Sequence, residues 1–171
     1  LARKFADFPS PCAVVVARAA LKDFDVVYGA GIAGYGAVGG ATLAHSPGAR
    51  VEVWATWLDD AQLRRMHETE GLAAGVYGFL RLKQVDLSFR AGPRWNSAFA
   101  YVQSRGAFNL GGAPVALAEV PASGRRFQAL RQGQVQAALR DHFAPGASID
   151  SFIAENLERP AIRAARVAAL A

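Results

Sequence analysis

Apolar and polar positions change their period several times along the chain, and each change marks an element. Ala13 to Ala17 and Asp23 to Tyr28 are short β-prone runs, with Leu21 and Lys22 placed between them at a turn. Gly29 to Gly40 carries glycine at six of twelve positions. A helix there would lose about 1 kcal/mol per glycine relative to alanine, so the segment reads as a loop that approaches something closely. Ser46-Pro47-Gly48 reads as a turn. Val51 to Trp57 then alternates, with Val51, Val53, Ala55 and Trp57 on one face of a strand.

Asp59 and Asp60 supply the cap and the first-turn acid of a helix carrying Leu63, Met66 and His67, and Gly71 is the residue that ends it. Val76 to Phe89 and Ala98 to Gln103 follow as strands, and Pro114 to Val120 as a third. The period changes again at Gln132 to Phe143, where Val135, Ala138, Leu139 and His142 recur at helical spacing. Asp150 or Ser151 caps a further helix through Leu157, and Pro160 opens a last one. The order predicts an α+β fold, strands first and helices last, in one domain spanning residues 1–171.

Length and composition narrow this further. With 171 residues, 52% of them hydrophobic and 19% charged, the chain can build one core, whereas two independent domains would each be marginal. Its apolar runs are far shorter than the roughly 20 residues of a membrane span, and no apolar signal-peptide core follows Leu1. Cys12 is the only cysteine and reads as a small apolar residue; with no internal disulfide to form, a cytoplasmic location is expected. The net charge of +5 would suit an anionic partner, but the arginines are dispersed and not interleaved with aromatics, so nucleic acid is not the expected partner.

Chemistry-bearing motifs are few. Gly29-Ala-Gly31-Ile-Ala-Gly34 follows a strand with the spacing of a dinucleotide fingerprint. That motif works only if a helix follows to hold the pyrophosphate, and Gly36, Gly39 and Gly40 occupy the place of that helix. His45, His67 and His142 form no ligand spacing, so neither a metal nor another cofactor is expected. Glu70 stands out. Leu63, Met66, His67 and Glu70 fall at i, i+3, i+4 and i+7, which places a carboxylate on the inward face and at the helix C-terminus. Burial and the helix dipole both disfavour its charged form, burial more strongly, and a carboxyl so placed can accept and return a proton. The alternative is an ion pair with Arg64 or Arg65.

Val53-Trp54, the capped helix ending in Glu70-Gly71, and Gly75-Val76-Tyr77 on the next strand together resemble the gamma-glutamylcyclotransferase family, with Gly39-Gly40-Ala41-Thr42-Leu43 and Ser46-Pro47-Gly48 matching upstream elements in the same order. The resemblance spans roughly residues 9–90. It implies a small mixed β-barrel with surrounding helices and closure of a γ-glutamyl group to 5-oxoproline with release of an amine. Glu70 would be the general acid and base, Tyr77 would line the pocket, and backbone N–H groups near Gly39 and Gly40 would hold the substrate. The chain matches the family from just after its first strand and Tyr-Gly-Ser-Asn loop. A barrel without that strand has an open edge, which a second copy or a partner chain would cover. A tyrosine that the family carries on a late helix would fall at Phe152. A binding or interaction module of the same fold, without catalysis, is the second reading.

Overall fold

A computed structural model describes residues 4, 5, 7, 8 and 13–170; Cys12 lies outside the described residues. Four long strands form the frame: β1 (Val15–Tyr28), β2 (Ala41–Trp57), β3 (Tyr77–Phe89) and β4 (Arg94–Gln103). Helix α1 (Asp60–Thr69) joins β2 to β3. The chain then runs through two-residue strands, β5 (Asn109–Leu110), β6 (Ala113–Pro114), β7 (Ala116–Leu117), β8 (Ala122–Ser123) and β9 (Ala129–Leu130). It ends in α2 (Gln132–Phe143), α3 (Ile149–Glu158) and α4 (Pro160–Ala168). The α+β class and the strands-then-helices order are as the pattern predicts.

The boundary signals near 22 and 47 mark a bulge. In place of two strands and a turn, β1 and β2 pair antiparallel throughout, with Lys22 opposite Arg50 and Phe24 opposite His45. Ser46 to Ala49 thus bulge out opposite the single residue Asp23. Asp23 (φ 61) and Gly48 (φ 84) take the left-handed backbone there, and the Gly48 N–H donates to Asp23 Oδ1 at 2.8 Å. Asp and Gly are residues that tolerate this conformation, which is why turn chemistry and bulge chemistry look alike in sequence.

The sheet runs β4-β3-β1-β2-β8, with β7 pairing β1 and, in parallel, β9. It is not closed into a barrel, which corrects the expected architecture. Closure needs full-length ladders from every strand. The stretch that would supply the closing strands holds Gly106, Gly111, Gly112, Pro114, Pro121 and Gly124, and it yields only two-residue pairings.

The dinucleotide alternative also fails here. No helix follows Gly34: the segment folds back through an Ile32–Val38 bridge and leads straight into β2, antiparallel to β1. Gly31 and Gly34 have open space where a side chain would stand, so of the three fingerprint glycines the packing constrains Gly29 alone, where a Cβ would meet Gln103 Cγ at 2.9 Å.

Two cores result. Ala19, Leu21, Val51, Val85 and Leu87 form one against the sheet. The other gathers Tyr28, Ile32, Val38 and Phe108 from the loop side with Val135, Leu139, Phe152 and Val167 from the helices. Phe152 is therefore core, with the Arg166 guanidinium 4.5 Å from its ring centre. Among the described residues no helix is long and apolar enough to cross a membrane.

Candidate active site

The end of α1 is fixed from both sides. Asp59 accepts from the Gln62 N–H at 2.8 Å and Gln62 returns an acceptor to the Asp59 N–H at 3.0 Å, a capping box. At the other end Glu70 is the C-cap, its N–H donating to the Met66 carbonyl, and Gly71 (φ 67) turns the chain away. Met66 is buried below, while His67 and Glu70 stand at the margin of the buried face.

The Glu70 carboxylate is partly buried and ion-paired. Its side chain keeps 24% of its surface, and the Lys4 ammonium donates to Oε1. Neither arginine of the alternative reading pairs with it. Arg65 bridges Glu68 at 3.1 Å and donates through Nε to the Lys4 carbonyl at 3.0 Å, which holds the lysine backbone against the helix.

Around this carboxylate stand two phenols. Tyr77, the first residue of β3, presents its hydroxyl to Gly40: a Cβ there would lie 2.5 Å from Tyr77 Oη, and Gly40 takes a φ of +84°. Only glycine suits that position. The Tyr77 phenol is pushed above its ordinary range, first by burial and also by the charge of Glu70, while the Ala41 N–H works in the opposite direction. Tyr101 is raised to about 12, again by burial first and by Glu70 second. Both hydroxyls thus stay protonated at neutral pH and sense the same carboxylate.

Tyr101 reaches the site by strand register: β3 and β4 pair Tyr77 with Gln103 and Phe79 with Tyr101. Its hydroxyl meets His67 Nδ1 at 2.8 Å, and His67 and Tyr101 both pack on the Phe79 ring, centroids 4.6 and 5.0 Å away. The sequence placed His67 on the same helix face as Glu70, but nothing short of the pairing register brings Tyr101 beside them. Phe152 lies in the helical core, so the second phenol near Glu70 comes from a strand.

The glycine loop closes the other side. Gly29 N–H donates to the Gly40 carbonyl at 3.1 Å, and Gly39 N–H to the Gly31 carbonyl at 3.3 Å. The Gly39 donor is thereby occupied, whereas Gly40 is exposed beside Tyr77. A Cβ on Gly39 would meet Ala33 Cβ at 2.6 Å and Tyr35 Oη at 2.7 Å. Buried Gln103 lies beneath, its amide nitrogen 3.1 Å from where a Gly29 Cβ would stand and 3.3 Å from the equivalent point on Gly40. Glu70, Tyr77, Tyr101 and His67 thus meet at the end of the β3–β4 pair, with Gly40 against Tyr77. Such a group can hold a primary ammonium on a carboxylate and offer neutral hydroxyl donors nearby. Among the described residues no three His, Cys, Asp or Glu converge as a metal site.

No family model and no curated protein matches this sequence. Solved structures similar to it include the following two. One is a gamma-glutamyl cyclotransferase, 20% identical over 86% of this chain and 75% of its own, with a TM-score of 0.42. The other is an ensemble-refined crystal structure of an uncharacterized protein from Homo sapiens, 17% identical over 99% of this chain and 81% of its own, with a TM-score of 0.46. Similarity at this level assigns no residue and no reaction to this chain.

Proposed function

We propose that the protein is a gamma-glutamylcyclotransferase-like enzyme in which Glu70 moves one proton twice. The observation that carries this reading is the pairing of the Glu70 carboxylate with a primary ammonium, that of Lys4, beside two neutral phenols. A γ-glutamyl compound presents a primary ammonium of the same kind. Once it displaces Lys4, Glu70 takes a proton from that ammonium, and the freed amine attacks the substrate's own γ-carbonyl. A nitrogen–carbon bond forms in the five-membered ring, the γ-amide carbon–nitrogen bond breaks as Glu70 returns the proton to the departing amine, and the second proton of the ring nitrogen passes to that amine, which leaves as an ammonium. The nucleophile belongs to the substrate, so one protein base suffices. Tyr77 lines the pocket, and the Gly40 N–H, exposed beside it, is the backbone donor for the substrate's carboxylate or the developing oxyanion. Gly39 serves by letting the loop close against Tyr35.

The test is release of 5-oxoproline from a panel of γ-glutamyl amino acids and amines. Wild type is expected to turn over at least one of them, and Glu70→Gln to lose about 10²–10⁴-fold in rate. Equal turnover by both proteins would remove Glu70 from the reaction. Saturable binding of γ-glutamyl compounds without turnover would instead support the second reading, a module that holds an ammonium on Glu70 without catalysis.

A further inference from the structure

We propose that an arginine-lined groove at the far end of the same sheet is a binding site for a phosphate-type dianion. It is a groove of about 540 Å³ crossing β3, β1, β2 and β8. The strand register explains why it exists. Ala20 of β1 pairs with Ser88 of β3 on one side and Glu52 of β2 on the other, and Arg50 of β2 pairs with Ser123 of β8. Paired residues share a face, and residues two apart on a strand share it too. Arg18, Arg50, Ser88 and Ser123 therefore flank a floor made by the small side chain of Ala20. Ala19, Leu21 and Val51, which alternate with these residues, point into the core, so the groove lies on the opposite face of the sheet.

Its charges are unevenly paired. Arg18 is engaged, with Nε 3.3 Å from Glu52 Oε1 and its guanidinium 5.1 Å from the Trp54 ring centre. Arg50 is half-buried and is held by a neutral atom, donating to Ser88 Oγ at 3.0 Å. Neither Arg50 nor Arg90 has a carboxylate within ion-pair distance among the described residues. Three guanidinium groups and one carboxylate leave the groove with two uncompensated positive charges, the match for a dianion. The donors are planar forks beside serine hydroxyls, the set that suits phosphoryl oxygens. The groove shares no lining residue with the Glu70 site, so the proposal does not rest on the reading of that site.

Titration calorimetry on the whole chain, with inorganic phosphate and pyrophosphate as probes, tests this. Saturable one-to-one binding is expected, weakened about tenfold or more by Arg50→Ala and less than about twofold by Arg64→Ala, an equal charge loss on α1 outside the groove. Glu70→Gln should leave binding unchanged. If Arg50→Ala does not unfold cooperatively, Arg90→Ala, at an exposed position just past β3, replaces it with an expected loss of about threefold or more. No saturable heat from either probe overturns the proposal. Equal weakening by Arg50→Ala, Arg90→Ala and Arg64→Ala overturns it too, since that would be general charge attraction. Binding of a single-stranded oligonucleotide without either inorganic probe would likewise replace the pocket with a surface that follows a nucleic-acid backbone.

Discussion

Of the ion pairs among the described residues, the two that span the most sequence, Asp25–Arg125 and Lys4–Glu70, are built for opposite purposes. Asp25 is fully buried and Arg125 keeps 15% of its side-chain surface; the guanidinium grips both carboxylate oxygens, at 2.7 and 3.0 Å, and adds a bond to the Val120 carbonyl. Glu70 and Lys4 keep 24% and 32%, and one ammonium meets one oxygen. A buried fork leaves no route for exchange, because either partner alone would be an uncompensated charge in a dry site. A half-exposed point charge on a flexible stem can be replaced by water or by another ammonium. Geometry and burial thus separate a tie that holds the β1–β2 frame to the following segment from a contact that a substrate can take over.

Breaking the buried pair should have the largest effect. Arg125→Ala leaves Asp25 charged and unpaired, at an expected cost of about 3–5 kcal/mol read from urea or thermal unfolding. A loss under about 1 kcal/mol would mean that the fork contributes little, and the contrast between the pairs would collapse.

The same operation on the other pair should split stability from activity. Glu70→Gln removes a partly exposed carboxylate, so unfolding should move by about 1 kcal/mol or less while 5-oxoproline release falls by the factor given above. Should Glu70→Gln destabilise as strongly as Arg125→Ala, Glu70 would belong with the structural pair.

How much of this was readable beforehand follows from the range of each interaction. Glu70 was legible because its signals are local: Asp59 caps, Gly71 terminates, and the helical period puts Glu70 in line with Met66. Tyr77 and Gly40 came with the short resemblance around them. The partners were not legible, since Tyr101 arrives through β3–β4 register, Lys4 from 66 residues away, and Arg125 pairs with Asp25 at a separation of 100. The barrel was misjudged for a related reason. Individual strands are written in alternation, but whether the last pairs with the first depends on ladders that the glycine- and proline-rich stretch after β4 does not provide. At Ser46 to Gly48 the local chemistry marks a break in the ladder, whereas the turn expected at Leu21 and Lys22 falls on paired residues next to the true break at Asp23; only long-range pairing decides between a turn and a bulge.

Gly40 asks whether the exchangeable site depends on shape as well as charge. Gly40→Ala sets a methyl group 2.5 Å from Tyr77 Oη at a φ of +84°, so a stability loss of about 1–3 kcal/mol is expected. Its effect on turnover should exceed that of an alanine at Gly31, where there is open space. Equal effects at the two positions would dissociate the loop from the site.

Tyr101 sharpens the electrical side. Burial keeps its phenol neutral, so this contribution to stability is complete below the free value of 10.0 and is lost as pH rises towards 12. A phenolate titration followed by absorbance should show late-ionising tyrosines, since burial also pushes Tyr28 up to about 12, and Tyr101→Phe should remove one of them. In Glu70→Gln the Tyr101 midpoint should fall only slightly, because the carboxylate is the lesser cause. A midpoint that drops all the way to 10.0 would make the Glu70 charge the main one.

The smallest effect on stability, and the most telling, belongs to Lys4. Lys4→Ala breaks a partly exposed pair, for which about 0–1 kcal/mol is the ordinary range. Its ammonium nevertheless sits where the substrate's ammonium must go, so removing it takes away a competitor. The expected result is a lower KM for γ-glutamyl compounds with kcat nearly unchanged, because Lys4 competes for the free enzyme and takes no part in proton transfer. The effect should shrink at high salt, which screens a half-exposed pair even in wild type. A raised KM would mean that Lys4 helps to hold the substrate. A marked loss of stability would place Lys4 and Glu70 in the same class as Arg125 and Asp25, and the carboxylate would then be committed to the fold before any substrate arrives.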